Sequence, residues 1–494
     1  MNSRFVCVLT ALCLASQLLR PACAAQADRF TEIRELIRTT MQETGAPSVA
    51  VAISQRGRIV WEEGFGWANK EARVPATEHT MYSLASISKP ITATGLMTLV
   101  QAKRVDLNAP INDYLGPAKL VNRVDPAQSA SVRQVANHSS GLPTYYQFFF
   151  ADEPNAVPSM DTTIARHGQA MWLPGERFKY SNLGYGVLGE VVARVSGQSF
   201  AGFMRQQVFL PLGLTHMSVG LEPTQRAFEA IRYDDSGAPL PDYATDHPGA
   251  SDVYASAHDL VRFGMFHLKT HLRDQKQILS DATIDDMQRL SFPNADQRAY
   301  GIGWNVRESL NGQRMVEHGG NMPGVKTVLI IIPAEQIAVV VLTNGELGTP
   351  RPIAHAMLQV LLPKWAPPED ETERKERPPF SPTPALLGKW QGRLQTYDLD
   401  LPVSMDVLAD GNIHVQLGNQ LQTLVNQPRF SDGFLRGRML GTGRTGETGR
   451  AVDDVTLLLK LRGAVLNGEV TFSATGKRSG ATAAWMELKK DGAK

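Results

Sequence analysis

Ser86 and Lys89 stand three residues apart in the stretch Tyr82-Ser83-Leu84-Ala85-Ser86-Ile87-Ser88-Lys89-Pro90. A serine hydroxyl is a weak nucleophile until a base takes its proton. A lysine stripped of water loses part of its preference for the charged form, so it can serve as that base or tune another. From Met81 to Ala102, Lys89 is the only charged side chain. That composition predicts a buried helix. Proline is tolerated only in a first turn, so Pro90 places Ser86 at the helix N-terminus and Lys89 just inside it. Residues three apart share a helix face, which lets the amine reach the hydroxyl while Ser88 points elsewhere. The position before a proline disfavours helical angles, so packing has to hold Lys89 there. The competing reading is a lysine that snorkels to the surface.

Two more stretches carry polar groups that chemistry can use. Pro174-Gly175-Glu176-Arg177-Phe178-Lys179-Tyr180-Ser181-Asn182 ends a loop and enters an apolar helix. Tyr180 is a general base if a nearby cation lowers its pKa, and Asn182 can bind a substrate amide. The alternative is a Ser or Asn helix cap. Val316-Glu317-His318-Gly319-Gly320-Asn321-Met322-Pro323-Gly324 leads into an apolar run from Val325. Glycines beside a strand let a substrate backbone approach closely, and an N–H there can polarise a carbonyl oxygen. A plain glycine-rich turn with a surface histidine is the other possibility.

The elements that must position these residues follow from periodicity. Arg29 to Thr44 reads as an amphipathic helix with Ile33, Leu36, Ile37 and Met41 on one face. Val49–Ile53 and Arg58–Gly64 read as antiparallel strands around a tight turn at 55–57. From about Ser131 to Leu290 the chain reads as helices and loops. Arg314–Val316, Val325–Ile332 and Ile337–Thr343 read as three strands, with a helix from about Pro352 to Leu362. Strands at both ends of a helical middle predict an α/β (α+β) unit: one antiparallel sheet from both ends, with an all-helical insertion. Pro363 to Pro384 is rich in proline and charge and reads as a linker. Beyond it, alternation in Val403–Val407, the Asp410-Gly411-Asn412 turn and a hairpin signal at Leu466-Asn467-Gly468-Glu469 predict an antiparallel β-barrel or sandwich. Trp485–Leu488 is expected to close it. The expected divisions are a signal segment 1–24, a main unit 28–365, a linker 366–383 and a β unit 384–494.

Composition narrows the partners. Lys plus Arg is 50 and Asp plus Glu is 49 in 494 residues, so no electrostatic footprint for nucleic acid exists. Arg4, the apolar Phe5–Leu19 and Ala22-Cys23-Ala24 read as a secretory signal and its cleavage site. No apolar run is long enough to span a membrane, and the expected location is secreted or periplasmic. All three cysteines lie in the signal, so cleavage after Ala24 removes disulfides, thiol catalysis and cysteine ligands together. Lipid attachment at Cys23 is the alternative, which Arg20-Pro21 suits poorly. Gly184-Tyr185-Gly186-Val187-Leu188-Gly189 has dinucleotide-site spacing but follows polar residues rather than an apolar strand, so it reads as close helix packing. His267 and His271 lack the glutamate of a zinc protease motif. No cofactor and no metal are expected.

Ser-x-x-Lys, Tyr-x-Asn and His-Gly-Gly in this order, at 86, 180 and 318, resemble the penicillin-recognising serine hydrolases, in particular the class C β-lactamase-like branch of β-lactamases, D-Ala-D-Ala carboxypeptidases and esterases. Asn137-His138-Ser139-Ser140-Gly141-Leu142-Pro143, Pro211–Leu214, Tyr300-Gly301-Ile302-Gly303-Trp304 and Thr343-Asn344-Gly345 are similar to further segments of that family, over roughly Phe30 to Trp365. The resemblance implies that Ser86 is acylated, with Lys89 its partner and Tyr180 sharing the role of base. It implies that Asn182, His318, Gly319 and Gly320 meet the substrate, and that the backbone N–H groups of Ser86 and Asn321 form the oxyanion hole. Many β-lactamases of the branch have Lys-Thr-Gly where this chain has His318-Gly319-Gly320, and a histidine only partly charged at neutral pH weighs against efficient β-lactam hydrolysis. A small-molecule or peptide substrate with an amide or ester carbonyl is expected. The alternative is a penicillin- or peptidoglycan-binding module that acylates without turnover. The oligomeric state is open.

Overall fold

The computed structural model describes residues 28–292, 298–345, 350–367, 380–443, 453–474 and 480–492. The expected signal segment 1–24 and most of the expected linker lie outside the described residues.

The larger half is built on one eight-stranded sheet. Its strands are β1 (Ser48–Gln55), β2 (Arg58–Asn69), β3 (Val74–Pro75), β4 (Arg298–Tyr300), β5 (Asn305–Leu310), β6 (Gln313–Met322), β7 (Val325–Ile332) and β8 (Ile337–Thr343). Their order across the sheet is β4-β5-β6-β7-β8-β1-β2-β3, every pair antiparallel. The late strands therefore dock beside the first, and β1 pairs with β8 from Val49↔Thr343 to Gln55↔Ile337. The central strands are continuous apolar runs because both faces are covered. Val49, Val51 and Ile53 point into a core with α1 (Thr31–Thr44) and the C-terminal helix Arg351–Leu361. Ala50 and Ala52 point into the larger core of the helical insertion.

That insertion holds α2 (Ser88–Gln101), α3 (Asn182–Ser196), the single turn α4 (Pro248–Ser251) and α5 (Ala257–His267). Gly186 and Gly189, inside α3, explain the false dinucleotide spacing. A Cβ on Gly186 would lie 2.7 Å from that of His247, and one on Gly189 would lie 3.3 Å from the Gly249 Cα. The run allows α3 to lie directly against α4. His267 is buried, bonded to Thr94 Oγ1 at 2.9 Å and pushed down to about 3 by burial. His271 is exposed beside Asp281, so the two histidines share no site.

The C-terminal residues form a separate nine-stranded antiparallel sheet between Gly388 and Lys490. The first strand, Gly388–Gln395, pairs with the last, Gly480–Lys490. The two outermost strands, Thr423–Leu424 and Asn426–Ser431, are neighbours in sequence, so the sheet curls into a nearly closed barrel. Its interior is packed with side chains such as Trp390, Met405, Val415, Leu459 and Phe472. One expected turn is corrected here. Asn467-Gly468 lies within the strand Val465–Ala474, with Asn467 opposite Lys460. The chain reverses instead at Gly463-Ala464, where Gly463 takes the left-handed φ of 64°. Among the described residues no helix is long and apolar enough to cross a membrane, and no His/Cys/Asp/Glu cluster could hold a metal.

Candidate active site

A 3₁₀ turn, Ala85–Ile87, delivers Ser86 to the N-terminus of α2. Ala85 holds a left-handed φ of 50°, uncommon for a residue with a side chain. The edge of β6 and β7 presses against this turn. Thr327 Oγ1 donates to the Leu84 carbonyl at 2.9 Å. At Gly320 a Cβ would lie 2.2 Å from both that carbonyl oxygen and Thr327 Oγ1, so only glycine permits the approach. Ser88, on the other side of the turn, accepts the Val253 N–H at 3.0 Å. Pro90 sits in the first turn of α2, and Lys89 is helical despite preceding it.

Lys89 does not snorkel; it is fully buried. Its Nζ lies 3.1 Å from Ser86 Oγ, 2.7 Å from Asn182 Oδ1 and 3.1 Å from the Ala250 carbonyl oxygen. Burial pushes its pKa well below the ordinary lysine value. The Asn182 amide orientation is fixed because its Nδ2 donates to the Tyr145 carbonyl at 3.0 Å. Asn182 Oδ1 and the Ala250 oxygen can therefore only accept. A neutral amine has two hydrogens, which those two acceptors take. Its lone pair is then left facing the Ser86 hydroxyl.

Tyr180 closes the triangle. Its ring centre lies 4.8 Å from Lys89 Nζ, and its hydroxyl is on the Ser86 side, near enough for the serine to act on its ionisation. Desolvation pushes the phenol above the ordinary tyrosine range, against a smaller opposing effect of Ser86. The helix-cap reading holds one residue on: Ser181 caps α3, its side chain accepting the Gly184 N–H at 3.2 Å. His138, from the Asn137–Pro143 segment, backs Tyr180 with ring centres 4.4 Å apart. Its Nδ1 accepts the Ser181 N–H at 3.2 Å, and burial holds the ring neutral.

His318 is 2% exposed and is pushed down to about 3, chiefly by burial. Its Nδ1 donates to the Gly319 carbonyl at 2.8 Å, and its Nε2 accepts from the Tyr300 hydroxyl at 3.0 Å. Position 318 therefore contributes neither charge nor a spare donor. Asn344, in the Thr343-Asn344-Gly345 segment, is a staple: its Oδ1 accepts from the Ser48 N–H and hydroxyl at 2.9 and 2.7 Å.

Ser86, Tyr180, Asn182, His318, Gly319, Gly320 and Asn321 all line one open cleft of about 1080 Å³, with Lys89 behind Ser86. Tyr146, Phe148 and Phe178 form its aromatic wall. The Ala250 and Tyr145 carbonyls have no side-chain signature and were beyond sequence reading. Behind Tyr145 stands a buried set with no motif: Asp246 accepts from the Tyr145 and Thr163 hydroxyls at 2.5 and 2.7 Å and pairs with His247 at 2.7 Å.

The Beta-lactamase family matches residues 33–363. The chain belongs to that family and is a β-lactamase-like serine hydrolase. Penicillin-binding protein 4* of Bacillus subtilis (strain 168) is 27% identical over 321 residues, 60% of this chain and 68% of that protein. The octameric penicillin-binding protein homologue from Pyrococcus abyssi is similar in fold with a TM-score of 0.59 at 22% identity, over 91% of this chain and 99% of that one. The β-lactamase/D-alanine carboxypeptidase from Pseudomonas syringae has a TM-score of 0.57 at 21% identity, over 69% and 99%.

Proposed function

We infer that this is an exported hydrolase that cleaves ester and amide carbonyls through an acyl-enzyme on Ser86, with 28–365 as its catalytic unit and the barrel from 384 as an appended one. The observation that carries the reading is the buried Lys89 amine, 3.1 Å from Ser86 Oγ and within hydrogen-bond distance of two acceptors, Asn182 Oδ1 and the Ala250 carbonyl. Ser86 Oγ attacks the carbonyl carbon as its proton passes to Lys89. The backbone N–H groups of Ser86 and Asn321 hold the tetrahedral oxyanion. The protonated Lys89 and the Tyr180 hydroxyl return a proton to the leaving alkoxide or amine, which departs. Water then attacks the carbonyl of the acyl-enzyme and gives its proton to the same pair; the bond to Ser86 Oγ breaks, the pair returns the proton to that oxygen, and the acid leaves.

Neutral substrates, such as short esters and peptides without an anionic group at the 318 edge, suit the cleft better than β-lactams. His318 is uncharged, Lys326 donates to Asn321 Oδ1 at 2.6 Å, and Arg351 is paired with Glu317. A turnover panel of a p-nitrophenyl ester, a D-Ala-D-Ala peptide and a chromogenic cephalosporin tests this. The neutral ester is expected to exceed the cephalosporin and the D-Ala-D-Ala peptide, both of which carry a carboxylate, in kcat/KM by about tenfold or more, the effect of roughly one lost charged contact. A cephalosporin or that peptide turned over best would overturn the preference. A single stoichiometric burst with every substrate would instead favour a binding module.

A further inference from the structure

The segment that carries Tyr180 is shared between the cleft and the C-terminal barrel. Phe178 and Tyr180 line the cleft. The alternate side chains, Arg177 and Lys179, face the barrel. Arg177 lies over the rings of Trp172 and Phe434, 5.2 and 4.6 Å from their centres. Lys179 Nζ lies 3.0 Å from Glu469 Oε1. Just before them, Glu176 accepts from Lys460 and, at 3.0 Å, from Arg462. The barrel thus presents cations to Glu176 and an anion to Lys179, which fixes the direction in which the segment lies across it. Under the charges, Met171 and Trp172 pack with Phe434, Leu458 and Trp485.

Glu469 is wholly buried, in the barrel strand Val465–Ala474. Its Oε1 also accepts the Thr144 N–H at 3.2 Å and the Thr471 hydroxyl at 2.8 Å. Thr144 precedes Tyr145, whose carbonyl orients Asn182, and Tyr146, an aromatic of the cleft wall. Tyr146 itself is stitched to the barrel, its N–H donating to the Ala481 carbonyl at 3.0 Å and its carbonyl accepting the Ala481 N–H at 2.8 Å. One carboxylate therefore ties together the two loops that place Tyr180 and Asn182. Nothing in the Ser86 chemistry requires a buried anion at 469, and a buried charge is retained only where it is paired.

We propose that the barrel is a brace for the catalytic cleft and that Glu469 is a positioning residue, acting through Lys179 and Thr144 on Tyr180 and Asn182. The functional part rests on Tyr180 taking part in catalysis; the brace itself does not. Glu469→Gln keeps an acceptor for Thr144 and removes the charge that Lys179 meets. In the full chain this variant lowers kcat for a p-nitrophenyl ester by roughly tenfold and moves KM less than twofold, because small displacements of reacting groups act on the chemical step. Lys179→Met has the same effect, and the double variant is no worse than either single one, the signature of one shared interaction. Amide hydrogen exchange over 177–181 and 144–146 quickens in each variant. Rates are normalised to sites titrated with a fluorophosphonate. A loss that vanishes on normalisation, or additive losses in the double variant, overturns the positioning role. Unchanged exchange overturns the brace. If the wild-type chain neither labels nor turns over, the catalytic reading has failed, and exchange alone decides the brace.

Discussion

Lys89→Met is expected to lower kcat on an ester by about 10³–10⁴ and to raise the melting temperature. The first effect follows from removing the acceptor for the Ser86 proton, whose usual contribution is of that order. The second follows from burial. Lys89 is enclosed with its pKa held well below the ordinary value, whereas in the unfolded chain it takes a proton up to about 10.4. Between those two pKa values the unfolded state binds more protons, so wild-type stability rises with pH across that window. The stabilisation by methionine is therefore largest below the native pKa and fades as pH approaches the unfolded lysine value. A gain of roughly 2 °C or more at neutral pH is the expected size, read by differential scanning calorimetry at several pH values. Retained turnover would remove Lys89 from the chemistry. A melting temperature that falls would show that its bonds to Asn182 and Ala250 outweigh its desolvation.

Tyr180→Phe is expected to cut kcat by about 10²–10⁴ while KM stays within a few-fold. The ring remains against His138 at 4.4 Å between centres, so the cleft keeps its wall. What is lost is the phenol hydroxyl on the Ser86 side. Burial holds that phenol protonated, so its part is to relay and donate rather than to stand as a phenolate. The rising limb of the wild-type pH–rate profile is expected to report the coupled Lys89–Tyr180 pair. It lies below the ordinary lysine range because burial disfavours the ammonium. Pre-steady-state kinetics separates the two half-reactions, and both slow in the variant. An unchanged kcat would clear Tyr180 of the role.

Much of the fold was legible because its signals are local. The apolar runs at Val49, Val325 and Ile337 are sheet-forming by themselves, and both faces of those strands are covered in the structure. Pro90 fixed where α2 could start. The Asn467-Gly468 turn signal failed because a strand pairing on both sides outweighed a dipeptide preference. At the site, spacing alone anticipated that the Lys89 amine reaches the Ser86 hydroxyl, and Tyr180 and Asn182 line the same cleft. Charge states were a different matter. His318 reads from sequence as partly charged, yet burial and its bonds to Tyr300 and Gly319 leave it neutral. Desolvation depends on what surrounds a side chain, which no single segment specifies. Backbone acceptors such as Ala250, and a carboxylate arriving from residue 469, leave no pattern near the motif they serve.

The central claim is that a buried amine activates one serine to carry the acyl group. Intact-protein and peptide mass spectrometry after acid quench of ester turnover measures this most directly. The wild-type chain should carry one acyl adduct, on the peptide containing Ser86, and Ser86→Ala should carry none and show no fluorophosphonate label. An adduct on another residue, or equal labelling of Ser86→Ala, would contradict the account.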